Sequence, residues 1–355
     1  MQGANKLVPK KVLDAVKKFQ QFKTKSLADN PSALETMRKG TSDVDLVTAL
    51  YKFNGSSIRA GNHLGISQSV VSFRRQKLEI ALGITLPRAR PETWRTLDYT
   101  RVLNLTLENG KILIGSDLHC WPNVNTTAMQ AFLDFNKRLK PEVVILNGDG
   151  LDGARISRHG RIGWQQTPDV KSELLALIDY LDQVRKANPN ALYKRTRGNH
   201  DSRFDTFLSA KIPELEGVTG ATLEDHLPGW EECTAIWVNG RECYIKHRGR
   251  SGGVHSTFNE VRRIGTNFVH GHLHAQNLIQ YRNAMGDLYG VDLGMMAAVE
   301  GPQFAYCEAD ITNWRSGFAV LTFRDGKLLP PSLATVIDEN NGELSFGGEI
   351  FIYGD

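Results

Sequence analysis

Apolar and polar positions change their period twice along the chain. Residues 9–25 read as a basic helix, with Pro9 near its start and Val12, Val16 and Phe19 along one side. Asn30-Pro31-Ser32 restarts a short helix. From 42 to 90 three helical stretches follow. Ser42-Asp43 caps the first, carrying Val44, Leu46, Val47, Leu50 and Tyr51. Asn54-Gly55-Ser56 breaks it, a short helix runs through Ala60 and Leu64, and Gly65 turns the chain. Ser67 then caps a helix reaching about Leu82. Pro87, Pro91 and three arginines mark a linker.

Beyond the linker the grain is that of strands and helices in alternation. Arg101–Leu107 and Lys111–Gly115 are strand-like, with a turn at Glu108-Asn109-Gly110. A helix near Thr126–Leu139, a strand Val143–Leu146, a helix Val170–Ala187 and a strand Ala191–Lys194 follow. From about Thr234 hairpins are predicted, turning at Asn239-Gly240, Gly286-Asp287 and Asp325-Gly326. The expected division is a basic segment 1–41, a helical module 42–90, a linker 91–100 and an α/β domain 101–355.

Composition is that of an ordinary globular chain, 41% hydrophobic and 23% charged. No apolar run is of membrane-spanning length, and Met1–Lys11 lacks a signal-peptide core, so the expected location is the cytosol and no membrane partner is expected. Cys120, Cys233, Cys243 and Cys307 form no CxxC pair and read as reduced small hydrophobes. The net charge of +4 conceals an asymmetry. Residues 1–90 hold 16 Lys/Arg and 6 Asp/Glu, a net of +10; the remainder holds 27 and 33, a net of −6. A basic front end on an acidic body suits a polyanionic partner, and a solvated lysine-rich face is the alternative.

Five short polar groups then stand out: Asp117-Leu118-His119, Gly148-Asp149, Gly198-Asn199-His200-Asp201, His247 and Gly271-His272-Leu273-His274. Each lies where an apolar run gives way to glycine or a polar turn. Together they supply carboxylates, an amide oxygen and imidazoles, the donor mix of divalent transition metals. Open α/β sheets carry their sites at the carboxyl ends of the strands, which is where these groups fall. In extended backbone, residues two apart share a face, so Asp117 with His119 and His272 with His274 are expected to aim into one cavity. Asp152 is expected to hold the loop after Asp149, and His270 to pack beside the ligands. Arg155, Arg158, Arg197, Arg203 and Arg248 lie near the clusters as surface charges or phosphate contacts.

The order D-x-H, G-D-x-x-D, G-N-H-D, H, G-H-x-H over roughly residues 101–325 resembles the calcineurin-like metallophosphoesterase superfamily. The resemblance implies an α/β fold, a double-layered β sandwich flanked by helices, and a two-metal hydrolytic centre. One metal would take Asp117, His119, Asp149 and His274; the other Asp149, Asn199, His247 and His272. His200 would be the acid beside the metals, oriented by Asp201. The ions would be two divalent cations, Mn2+ favoured, with Fe, Zn or Ni as alternatives. Such a pair clamps a phosphate and activates a bridging water. The segment departs from two branches: Asp152 stands where double-strand-break-repair nucleases carry His. Gly153 and Asp201 stand where protein phosphatases carry Arg and Glu.

Residues 56–86 are similar to the helix-turn-helix of LysR-type regulators, matching at Ala60, Leu64, Ser67, Gln68, Val71, Ser72, Leu78, Glu79, Leu82, Gly83 and Leu86. Leu64, Ile66, Val71 and Leu78 would form its small core. Gln68, Ser69, Ser72, Arg74 and Arg75 would face outward toward phosphates and base edges. Phe73 replaces the usual Arg. The leading expectation is a metal-dependent phosphoesterase acting on DNA or another nucleic acid, delivered by this all-α module. The alternatives are a nucleotide or small-molecule phosphatase whose helical module forms homo-oligomers, and a DNA-binding regulator with a structural metal site.

Overall fold

The computed structural model describes residues 8–26, 40–53, 55–87, 100–159, 165–284, 286–308 and 310–354. The chain divides into two compact units, Met1–Thr96 and Leu97–Asp355. The expected short helix after Asn30 and most of the expected linker lie outside the described residues.

The first unit contains α1 (Lys10–Ser26), α2 (Asp43–Lys52), α3 (Ser57–Leu64) and α4 (Gln68–Leu82). Its helix starts are set by hydroxyl caps. Ser42, Ser56 and Ser67 accept hydrogen bonds from the backbone N–H groups of Asp45, Arg59 and Val70. Gly65 ends α3 at φ 67°, a backbone that glycine adopts without strain. Val16, Leu46, Leu50, Val71 and Leu78 are buried together, and Leu64 and Ile66 pack against them.

The second unit is a two-layered sandwich. Its strands are β1 (Val102–Leu105), β2 (Gly110–Gly115), β3 (Val143–Asn147), β4 (Leu192–Thr196), β5 (Glu231–Cys233), β6 (Ala235–Val238), β7 (Cys243–Ile245) and β8 (Asn267–His270). They continue with β9 (Asn277–Asn283), β10 (Gly286–Asp292), β11 (Gly317–Arg324), β12 (Lys327–Leu328), β13 (Ser332–Asp338), β14 (Glu343–Phe346) and β15 (Glu349–Ile352). One sheet has the order β1-β6-β7-β8-β10-β9. The other runs β15-β14-β13-β11-β2-β3-β4-β5, with β12 beside β11. Helices α5 (Thr127–Leu139), α6 (Val170–Ala187), α7 (Asp201–Lys211), α8 (Leu223–His226) and α9 (Ser256–Ile264) complete the unit.

Alternation along the central strands builds the layers. Ile112 and Ile114 of β2, Val143 and Ile145 of β3, and Ala319, Leu321 and Phe323 of β11 join Ile236, Ile245, Val269 and Val291 in one core. The intervening Leu113, Val144, Leu146, Phe318 and Val320 point the other way, into a core with Phe132 and Phe135 of α5 and Leu177 and Leu181 of α6. The period of two thus places one core between the sheets and another under the helices. β3 is buried at all five positions, as a parallel strand covered on both faces must be. Among the described residues no helix is long and apolar enough to cross a membrane.

Three expectations change. β1 and β2 do not form a hairpin: β1 pairs in parallel with β6 in one sheet, while β2 lies between β11 and β3 in the other. Gly286 pairs with Asn283, so Gly286 and Asp287 belong to β10 rather than to the turn. The antiparallel run β13–β15 extends the larger sheet beyond the hairpins expected from the sequence.

Candidate metal centre

β2, β3 and β4 run parallel, so their carboxyl ends share one rim. The loops leaving them carry Asp117 and His119, Asp149, and Asn199 and His200. β7 and β8, parallel neighbours in the other sheet, deliver His247, then His272 and His274, to the same rim. The loops are stitched together: Asp117 N–H donates to Gly148 O (3.0 Å), His119 N–H to Asp149 O (3.0 Å) and Gly271 N–H to His247 O (3.0 Å).

These ligand loops are not extended. Asp117, His119, Asp149, His272 and His274 all have positive φ, from 42° to 71°. Their side chains converge because the backbone is held in the left-handed region, not through strand alternation. Each such residue costs free energy and persists only where its surroundings enforce it. The motif glycines enforce it by close approach. A Cβ on Gly198 would lie 2.0 Å from Asp149 Oδ1, and one on Gly271 would lie 2.0 Å from Ser116 Oγ.

Two donor sets hold the expected metal residues, beside a third group of His119, Asp152 and His200. In the first, Asp117, His119 and His274 gather their ligand atoms within 4.8 Å of one another. His274 Nε2 lies 3.1 Å, and His119 Nε2 3.8 Å, from Asp117 Oδ1. In the second, Asp149, His247 and His272 gather likewise. His247 Nε2 is 3.1 Å from Asp149 Oδ2 and 3.3 Å from Asn199 Oδ1.

The tautomers show what these sets lack. His247 Nδ1 sits 2.7 Å from the Asn147 carbonyl, so Nδ1 carries the proton. The Nε2 lone pair of the neutral ring then faces two further acceptors, Asp149 Oδ2 and Asn199 Oδ1. That arrangement requires a positive charge between them. His119 repeats the logic. Its Nδ1 lies 2.9 Å from Asp152 Oδ1, and its buried Nε2 has no hydrogen-bond partner. A carboxylate behind an imidazole whose other nitrogen points into a cluster of ligands is the usual support of a metal-binding histidine.

Electrostatics point the same way. Burial opposes charge on Asp117, yet His247, His274 and His119 hold its carboxyl well below the usual range. Asp149, despite its burial, is held low chiefly by His247. Burial would lower His119, but the neighbouring Asp117 and Asp152 carboxylates raise it to about 10. His247 likewise overcomes burial through Asp149 and Asp117 and rises to about 9. His272 goes the other way, down to about 4, through burial and the neighbouring His247. Protons therefore stand in for cations in a pocket of buried carboxylates. The donor sets fit divalent metals: one would rest on Asp117, His119 and His274, the other on Asp149, Asn199, His247 and His272.

Asp201 has a different place from the one expected. Its carboxylate accepts from the N–H groups of Asp149 and Gly198 through Oδ2 (3.0 Å each), and of Gly150 (3.0 Å) and Leu151 (3.1 Å) through Oδ1. It braces the Asp149 loop and makes no bond to the His200 ring among these contacts. The ring is held by Asp152 and Arg203. His200 Nδ1 lies 2.9 Å from Asp152 O, and Nε2 lies 3.0 Å from Arg203 Nη2. Asp152 thus supports both His119 and His200. His270 is buried against Thr257 Oγ1 (2.9 Å), away from both donor sets. Phe304 and Trp314 pack on the ligand rings, Phe304 5.2 Å from His119 and Trp314 4.7 Å from His274. Phe304 comes from a short 3-10 helix (Pro302–Cys307) and Trp314 from the loop after it, neither carrying a sequence motif, so only the fold reveals them.

In the first unit the five expected contact residues separate. Gln68 and Ser69 are exposed at the start of α4. Arg74 does not face outward: it binds Asp43 Oδ1 (2.7 Å) and Thr41 O (2.8 Å). Arg75 reaches Gly55 O at 3.5 Å and Ser72 reaches Ser57 Oγ at 3.3 Å. The outer face of α4 instead shows Phe73, 58% exposed, with Lys77 over its ring.

No family profile matches the chain. Gene 54 protein of Mycobacterium phage L5 is 27% identical over 268 residues, covering 68% of this chain and 98% of that protein. Gene 54 protein of Mycobacterium phage D29 is 26% identical over 187 residues, covering 50% of this chain and 58% of that protein. Among solved structures, zinc-complexed Vps29 from Entamoeba histolytica shares 14% identity, with a TM-score of 0.36, over 68% of this chain and 98% of its own. A novel archaeal phosphodiesterase shares 14% identity, with a TM-score of 0.33, over 68% and 99%. In its two-layered fold and the order of its motifs, the chain is similar to the calcineurin-like metallophosphoesterases.

Proposed function

We propose that the chain is a metal-dependent phosphoesterase with a dinuclear centre, and that it acts on nucleic acid. The observation that carries this reading is the pair of donor sets at one rim, in which unprotonated histidine nitrogens face carboxylates with nothing but a cation or proton to reconcile them. Asp149 lies in the second set, and its loop is bonded to the Asp117–His119 loop. We assign it as the ligand shared by both ions. Two bound divalent cations would supply Lewis-acid stabilisation of a phosphate and a water made acidic enough to attack it.

The chain's own groups do the remainder. Asp152 fixes His119 and His200 in one tautomer each, with the proton on Nδ1. His200 Nε2 accepts from Arg203 at rest. An incoming phosphate competes for that guanidinium, which binds oxyanions in a fork. His200 Nε2, freed from Arg203, would then relay a proton from solvent water to the departing oxygen as a general acid. Asp201 keeps the Asp149 loop in its left-handed shape.

The front end fits delivery to nucleic acid through its charge and its hydroxyl-capped helix pair. Gln68 and Ser69, at the exposed start of α4, are the contacts assigned to it. Arg74, tied to Asp43, is withdrawn from that assignment. Mn2+ is the metal we favour, and a phage-infected cell the setting. The test is turnover of an oligonucleotide and of nitrophenyl phosphate by the purified chain with Mn2+, Zn2+ or Ni2+, with and without chelator. Asp149→Asn should abolish both activities; activity that survives chelation rejects the proposal.

A further inference from the structure

An open cavity of about 750 Å³ adjoins the second donor set, touching Asn199 and His272. One of its walls is a single face of α7: Ser202 and Arg203, then Thr206 and Phe207, then Ala210 and Lys211. Successive pairs four residues apart stack along one side of a helix. From Ser202 to Lys211 that face advances about 14 Å at 1.5 Å per residue. Ile156, Arg158, His159 and Arg248 also line it.

Charge and shape select the occupant. Among the described residues no Asp or Glu lines the cavity, whereas Arg158, Arg203, Lys211 and Arg248 do. Among the described residues Arg158, Lys211 and Arg248 form no ion pair. Phe207 is 39% exposed between the two ends of this basic run. We infer that the groove holds the nucleotides next to the scissile linkage of a single-stranded nucleic acid, phosphates on the arginines and lysine and a base against Phe207. The inference rests on the phosphoesterase reading and names the class of its substrate.

A small phosphomonoester would place its one phosphate at the donor sets and leave Lys211, some three turns away, without an anion. A stacked strand advances about 3.4 Å per nucleotide, so a groove of this length passes several phosphates. Alternation of cationic side chains with an aromatic ring is how strands are bound without sequence preference. A phosphopeptide offers neither the repeated charge nor a flat base for Phe207.

The experiment uses the full chain loaded with Mn2+. Specificity constants are measured for a single-stranded oligodeoxynucleotide, a phosphopeptide and nitrophenyl phosphate, in wild type, Phe207→Ala and the double variant Arg158→Ala/Lys211→Ala. The expected result is that the ratio of kcat/KM for the oligonucleotide to that for nitrophenyl phosphate falls about ten-fold in each variant, through KM, the loss of one stacked base or of two phosphate contacts. The salt dependence of KM should also flatten in the double variant. An unchanged ratio overturns the inference, as does a phosphopeptide preference lost in the same variants. Should no substrate turn over with any metal, the phosphoesterase reading fails by itself. The groove is then judged by anisotropy of the labelled oligonucleotide, whose affinity must fall in the double variant.

Discussion

Asp201→Asn isolates the brace from the chemistry. The wild-type carboxylate is almost wholly buried and accepts four backbone N–H groups, two on each oxygen. An amide of the same shape keeps one accepting oxygen and turns an NH2 group toward the other pair of donors. Two buried N–H groups are left unsatisfied, either those of Asp149 and Gly198 or those of Gly150 and Leu151. Each such group costs about 1–3 kcal/mol. Relaxation of the loop recovers part of the total, so the expected loss is about 3 kcal/mol. For a unit of this size, that lowers Tm by about 6–12 °C. The assay is thermal and urea unfolding of the metal-free chain, with His200→Ala as comparison. His200 donates to a carbonyl at the rim, and its truncation should change Tm by far less. If Asp201→Asn is as stable as wild type while His200→Ala is not, the division of labour drawn here between brace and acid is wrong.

Three further outcomes follow from the site. His200→Ala should retain both metals by elemental analysis while losing about 10²–10⁴ in turnover, the range for a general acid. Asp152→Ala removes the support of His119 and His200 together, and should weaken metal affinity about 10–100-fold in a competition titration with a chelating dye. Glu173 is fully buried; burial, reinforced by Asp152, outweighs its bonds to Gly153 and Ala154 and pushes its carboxyl up to about 7. A folded value above the ordinary one means that its stabilising effect is complete at acid pH and lost as pH rises through 7. The stability of wild type relative to Glu173→Gln should therefore fall by about 1–3 kcal/mol between pH 5 and 8, read from urea midpoints.

Much of this was legible in the sequence where the determinants are local. Ser42, Ser67 and Thr126 announce helix starts because a hydroxyl cap acts within three residues. Short apolar runs ending in Asp or His marked the rim because β2, β3 and β4 are buried central strands with their loops at one end. What escaped was decided at long range. Glu108-Asn109-Gly110 carries a turn signal, yet β1 finds its partner some 130 residues away in β6. The Gly347-Gly348 pair between β14 and β15 is a two-residue hairpin signal that the sequence does carry. The role of Asp201 differs from the one the resemblance implies, that of orienting His200. A side chain at the first position of α7 points back to the Asp149 loop instead. Arg74 was likewise assigned by its place in a motif, whereas Asp43, 31 residues earlier, claims it. The positive φ values at the ligand positions have no sequence signature in Asp or His.

The most direct test of the account is anomalous diffraction from crystals of the full chain grown with Mn2+. Two metal peaks sharing Asp149 are predicted, one also bound by Asp117, His119 and His274, the other by Asn199, His247 and His272. A single peak, or metal bound outside these residues, would contradict it.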